Sequence, residues 1–171
     1  VVRAGYVGLP EQNPYNKEIV DFCKSIDIDF VSGDFKERQD CEDFLQTLQL
    51  GIIFSSNDKR YSGGAINYKG DTSIAFETIK KYKPNTKLAN FQSFGIPTIS
   101  IDYESFNEFG NGDFILANNV NSLYQSILEI SKNDDARKDL SDRSYNNGIK
   151  YNILKIKDRY RDIISFYDNV T

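Results

Sequence analysis

Thr86 and Lys87 are the residues best placed to do chemistry. They stand in the run Lys83-Pro84-Asn85-Thr86-Lys87-Leu88-Ala89-Asn90-Phe91-Gln92-Ser93-Phe94-Gly95-Ile96-Pro97-Thr98-Ile99-Ser100, which reads as a helix, a turn and a buried strand. Pro84 suits a first helical turn, Leu88, Phe91 and Phe94 form one apolar face, and Gly95 ends the helix. Pro97 then opens a strand through Ile101. Thr86 and Lys87 therefore fall in the first turn, where unpaired backbone N–H groups and the positive end of the helix dipole favour an anion. A hydroxyl and an ammonium add charge-assisted contacts, so the chemistry indicated is phosphate binding. Each residue also has a plainer role, Thr86 as a helix-start hydroxyl and Lys87 as a solvated surface charge.

The chain contains no His, which removes the commonest general base and metal ligand. Any base must be a carboxylate or lie outside this sequence. Cys23 and Cys41 lack metal-ligand spacing and read as reduced, buried thiols. No metal site and no tightly bound cofactor is expected.

The elements that must position these groups alternate. Residues 1–8 read as a strand entering a Gly-Leu-Pro turn, 15–25 as a helix, and 26–31 as a second strand. A polar loop at 34–38, a helix at 41–48 with Phe44, Leu45 and Leu48 inward, and a fully apolar strand at 50–55 follow. Residues 56–71, with Gly63, Gly64 and Gly70, read as a long mobile loop, and 72–82 as a helix. After the Lys83 to Ser100 unit come a polar turn with Glu104 and Glu108, a strand at 113–117, a helix at 120–131, and a helical stretch over 134–167 weakened at Asn146-Asn147-Gly148. Its second half carries an apolar stripe of Ile153, Ile156, Tyr160, Ile163, Ile164 and Tyr167. Short buried strands separated by helices imply βαβ units. The expected fold is α/β: a Rossmann-like three-layer domain with a parallel sheet of about five or six strands and helices on both faces, spanning residues 1–171 as one domain.

In such a sheet, ligands bind beyond the carboxyl ends of the strands. Meeting there are the Gly8-Leu9-Pro10 turn, the Gly33-Asp34-Phe35 loop, the loop after Ser55, Thr86 with Lys87, and the turn holding Glu104 and Glu108. Together they suit a nucleotide. Gly5 and Gly8 do not make the G-x-G-x-x-G fingerprint of a dinucleotide site.

Taken in order, Phe30-Val31-Ser32-Gly33-Asp34-Phe35, Phe44 through Ser55, Thr86 through Ile99, and Glu108 resemble the C-terminal nucleotide-sugar-binding domain of GT-B-fold glycosyltransferases, over nearly the whole chain. The resemblance implies a donor-binding domain whose substrate is a nucleotide sugar, working without a metal ion and paired with an N-terminal acceptor domain of the same parent chain. By position it implies Gly33, Asp34 and Phe35 near the base, Thr86 and Lys87 at the diphosphate, Asn90 at the ribose, and Glu108, with Glu104 as a neighbour, near the sugar or ribose. Many relatives carry Glu where Asn90 stands, so the acceptor here is an amide. The alternative is a non-catalytic module on the same fold that binds a nucleotide or a protein. A flavodoxin-like or receiver domain also suits the element count, but no acidic cluster stands at the strand ends Gly8 and Ser32.

The totals agree with a domain of this kind. At 171 residues the chain is long enough for one substantial core. A net charge of −4 without a basic and aromatic cluster argues against nucleic acid as a partner. The basic residues Lys150, Lys155, Lys157, Arg159 and Arg161 raise contact with an anionic membrane surface, but Asp158 and Asp162 dilute them and one solvated helix face explains them. No apolar run approaches the ~18 residues of a membrane span, and no signal-peptide pattern opens the chain, so a cytoplasmic location is expected. The opening on Val1 and the absence of Met lead us to read the sequence as a piece of a longer protein.

Overall fold

The structure is a computed structural model that describes residues 1–8, 16–54, 86–101, 106, 112–151 and 153–168. Its elements are β1 (Val2–Val7), α1 (Asn16–Ser25), β2 (Ile28–Gly33), α2 (Arg38–Gln46), β3 (Leu50–Ile53), α3 (Thr86–Ser93), β4 (Thr98–Ile101), β5 (Ile115–Ala117), α4 (Val120–Lys132), α5 (Asp134–Lys150) and α6 (Ile153–Asp168). The five strands form one parallel sheet in the order β2-β1-β3-β4-β5. This is the expected Rossmann-like α/β fold.

The sheet is covered on both faces, and the period of two along each strand divides its side chains between them. Ala4, Tyr6, Leu50, Ile52, Phe54 and Ile99 pack with Ile19 and Cys23 of α1 and Leu123, Ile127 and Ile130 of α4. Val7, Val31 and Ile53 pack with Leu45 and Leu48, with Leu88 and Phe91 of α3, and with Ile96, Phe106 and Phe114. Burial on both faces is why Leu50–Ile53 is apolar without alternation.

Helix ends follow local chemistry. α3 stops in a Schellman turn: Gly95 takes φ +64, its N–H donates to the Gln92 carbonyl at 3.0 Å, and the Ile96 N–H donates to the Phe91 carbonyl at 2.9 Å. α4 starts in a capping box, in which the Asn119 side chain accepts from the Ser122 N–H at 2.9 Å and Ser122 Oγ accepts from the Asn119 N–H at 3.0 Å.

Several boundaries differ from the periodicity. β2 begins at Ile28 rather than Ile26, because Asp27 turns the chain at φ +60. α2 begins at Arg38, within the expected loop, where Arg38–Glu42 and Gln39–Asp43 pair one turn apart at 2.5 and 2.8 Å; apolar spacing cannot register such a polar start. Phe94 does not join Leu88 and Phe91 in the core. It follows the last residue of α3 and is 36% exposed. The stretch expected to weaken at Asn146-Asn147-Gly148 is helical there and divides instead at Tyr151, so α5 and α6 are separate helices. The expected loop at 56–71 and helix at 72–82 lie outside the described residues.

Candidate functional site at the carboxyl edge of the sheet

Strand β1 connects to β2 on one side and β3 lies on its other side, so the crossovers diverge between β1 and β3. A crevice opens at such a switch point, beyond the carboxyl ends of the two strands. Gly8, which follows β1, donates its N–H to the Gly33 carbonyl at 2.8 Å and so ties the first turn to the end of β2. Tyr6 and Phe54 line the adjacent ends of β1 and β3 with ring centroids 4.9 Å apart.

α3 runs back from this edge toward β4, which places its first turn at the switch point. Its core residues Leu88 and Phe91 belong to the layer on one face, yet Lys87 reaches over the edge to Tyr6, which belongs to the layer on the other. Lys87 Nζ donates to the Tyr6 hydroxyl at 2.7 Å and lies 4.1 Å from the centroid of the Tyr6 ring. Gly8 closes beside both. Its φ is +146, and a Cβ there would stand 2.8 Å from the Tyr6 ring and 3.0 Å from Lys87 Nζ. The arrangement puts a half-buried ammonium on a rigid aromatic floor at the switch point.

The structure places the expected site residues in three groups. Thr86, exposed, and Lys87 occupy the first turn of α3 at the edge, with Gly33 nearby through its carbonyl bond to Gly8. Asp34 is exposed, and Phe35 turns back over Gly33 to meet Phe44 at 4.9 Å between ring centroids, so its ring is engaged with α2. Asn90 lies one turn along α3 and, with Ala89 and Ser93, lines a cavity of about 290 Å³ bounded by Tyr145, Gly148, Ile149 and Tyr151. That cavity faces α5. Glu104 and Glu108 lie outside the described residues.

Below its first turn α3 is tightly fixed. Gln92 and Asn147 are buried, and the Asn147 Nδ2 donates to Gln92 Oε1 at 3.1 Å. Gly148 lets the two helices meet: a Cβ there would stand 2.5 Å from the Gln92 carbonyl oxygen. Ser141 Oγ donates to the Gly95 carbonyl at 2.6 Å and Ser144 Oγ to the Asp113 carbonyl at 2.7 Å, so α5 clamps the turns that lead into β4 and β5.

Tyr6 was missed by the sequence reading, which treated residues 1–8 as a plain strand. A signal was present. A tyrosine at a core position two residues before a strand-ending glycine carries a hydroxyl that requires a polar partner. The two thiols offer little chemistry: burial pushes Cys23 up to about 12, and Cys41 is also raised, by burial and by the neighbouring Glu42 carboxylate. No described helix is long and apolar enough to cross a membrane.

A comparison with protein-family models finds no match, and neither does a comparison with curated proteins.

Proposed function

We propose that this chain is the donor-binding domain of a GT-B-type glycosyltransferase, which moves a sugar from a nucleotide diphosphate to an acceptor hydroxyl. The observation that carries the reading is Lys87, extended from α3 across the sheet edge to β1 at the switch point between β1 and β3. A cation fixed there suits the diphosphate of a bound nucleotide. In transfer, the bond between the anomeric carbon and the diphosphate oxygen breaks, and the acceptor oxygen bonds to that carbon. Negative charge grows on the leaving diphosphate, where Lys87 and the Thr86 hydroxyl would stabilise it. In an inverting enzyme the acceptor proton would pass to a base on the N-terminal acceptor domain.

Calorimetric titration with a panel of nucleoside diphosphates and nucleotide sugars tests the reading. Saturable binding is expected, weakened by about 1 kcal/mol or more in Lys87→Ala. Failure of every nucleotide to bind at millimolar concentration overturns it.

A second reading, a non-catalytic nucleotide- or protein-binding module, is favoured by the sheet order, which is that of flavodoxin-like domains. Release of nucleoside diphosphate from a nucleotide sugar by the parent protein separates the two. Only a transferase turns its donor over.

A further inference from the structure

One residue holds the Lys87 ammonium in two ways. The Tyr6 hydroxyl accepts its hydrogen bond at 2.7 Å, and the Tyr6 ring lies beneath it with its centroid 4.1 Å away. Tyr6 has little room to move, being 8% exposed, in ring contact with Phe54, and backed by Gly8, which no side chain separates from it. A lysine stem carries substantial rotamer entropy, and the ammonium at its end is strongly hydrated. Seating it on an aromatic face removes part of both obstacles before an anion arrives.

We infer that Tyr6 is the positioning residue of the anion site: it holds Lys87 at the β1/β3 switch point so that the ammonium meets the pyrophosphate group of the ligand. The inference rests on the reading of this edge as a diphosphate site and deepens it. It predicts that Tyr6 contributes to affinity only through Lys87. The hydroxyl and the ring contribute separately, because one accepts a hydrogen bond and the other supplies a negative face.

Titration of the chain with inorganic pyrophosphate, in wild type, Tyr6→Phe, Tyr6→Leu, Lys87→Ala and Tyr6→Phe/Lys87→Ala, tests this, with circular dichroism and urea unfolding confirming that each variant is folded. Tyr6→Phe keeps the ring packed on Phe54, so it remains informative if Tyr6→Leu fails to fold. We expect Tyr6→Phe to weaken binding about fivefold, the net scale of one ordinary hydrogen bond, and Tyr6→Leu to weaken it further, so that the aromatic variant is a partial rescue of the aliphatic one. In the Lys87→Ala background Tyr6→Phe should change nothing.

The outcomes distinguish the two levels of the argument. If pyrophosphate binds and Lys87→Ala leaves its affinity unchanged, or if no saturable binding occurs at millimolar concentration, the diphosphate-site reading falls and the role of Tyr6 falls with it. If Lys87→Ala weakens binding but Tyr6→Phe does not, the site stands and the positioning role is overturned. An equal loss from Tyr6→Phe with and without Lys87 also overturns it, by making the phenol a direct ligand.

Discussion

The two ends of α3 do different work. Its first turn, at the carboxyl edge, has Thr86 exposed and sends the half-buried Lys87 across to another layer. Its inward side, from Leu88 on, packs against β3 and α5, with Leu88, Phe91 and Gln92 buried and Gly148 admitting the helix backbone, while Ala89, Asn90 and Ser93 border the cavity toward α5. The contrast teaches how a short helix can present a cation: eight residues could not hold it in place by themselves, so packing over the lower turns fixes the axis and leaves the upper turn at the edge.

Substitutions on the two ends should therefore separate stability from binding. The largest effect expected is from Phe91→Ala, which removes a fully buried ring lying over Gly51; about 3–5 kcal/mol of stability should be lost in urea unfolding. Gly148→Ala comes next. In an exposed helix this change would help by about 1 kcal/mol, but here the new Cβ meets the Gln92 backbone, and a net loss of about 2 kcal/mol is expected by the same measurement. A stabilised Gly148→Ala would show that the two helices are not in close contact.

Asn147→Ala should cost about 1–3 kcal/mol, because the buried Gln92 oxygen loses its donor. Lys87→Ala should cost about 1 kcal/mol of stability, because the buried Tyr6 hydroxyl loses the Lys87 donor, while weakening nucleoside diphosphate binding about fivefold or more in calorimetry. The comparison breaks if Lys87→Ala costs stability and leaves binding alone. Thr86→Ala, at an exposed hydroxyl, should have the smallest effect, about a twofold loss of affinity with stability nearly unchanged.

The lower half of α3 was easier to read in advance than the upper. Leu88 and Phe91 repeat at helical spacing, and Gly95 followed by Pro97 marks where helix gives way to strand, so core face and stop were both visible. Phe94 was misplaced because the same spacing continues past the last helical turn, and periodicity does not know where a Schellman turn will cut it. Gly148 was read as a weak point for a related reason. A glycine inside a helix lowers propensity in every context, and only the neighbouring helix shows that its missing side chain is occupied space.

Of the candidate site, the place of Thr86 and Lys87 at a helix start was legible in the sequence, whereas the contact with Tyr6 was not, since Tyr6 is distant in sequence and looks like one more strand residue. The placement of Asn90 toward α5 and of Phe35 against Phe44 likewise depends on which helices come to lie beside them.

What the sequence determined by itself is local: apolar strands too uniform for a one-sided sheet, helices between them, and a cation one residue into α3, all set by side-chain periodicity and by turn chemistry within a few residues. What only the tertiary structure decided is which strands are neighbours and what lies across the edge from Lys87. The order β2-β1-β3-β4-β5 brings Tyr6 of β1 within 2.7 Å of a lysine 81 residues later, and contacts over that separation are made by packing layers, which no local pattern encodes.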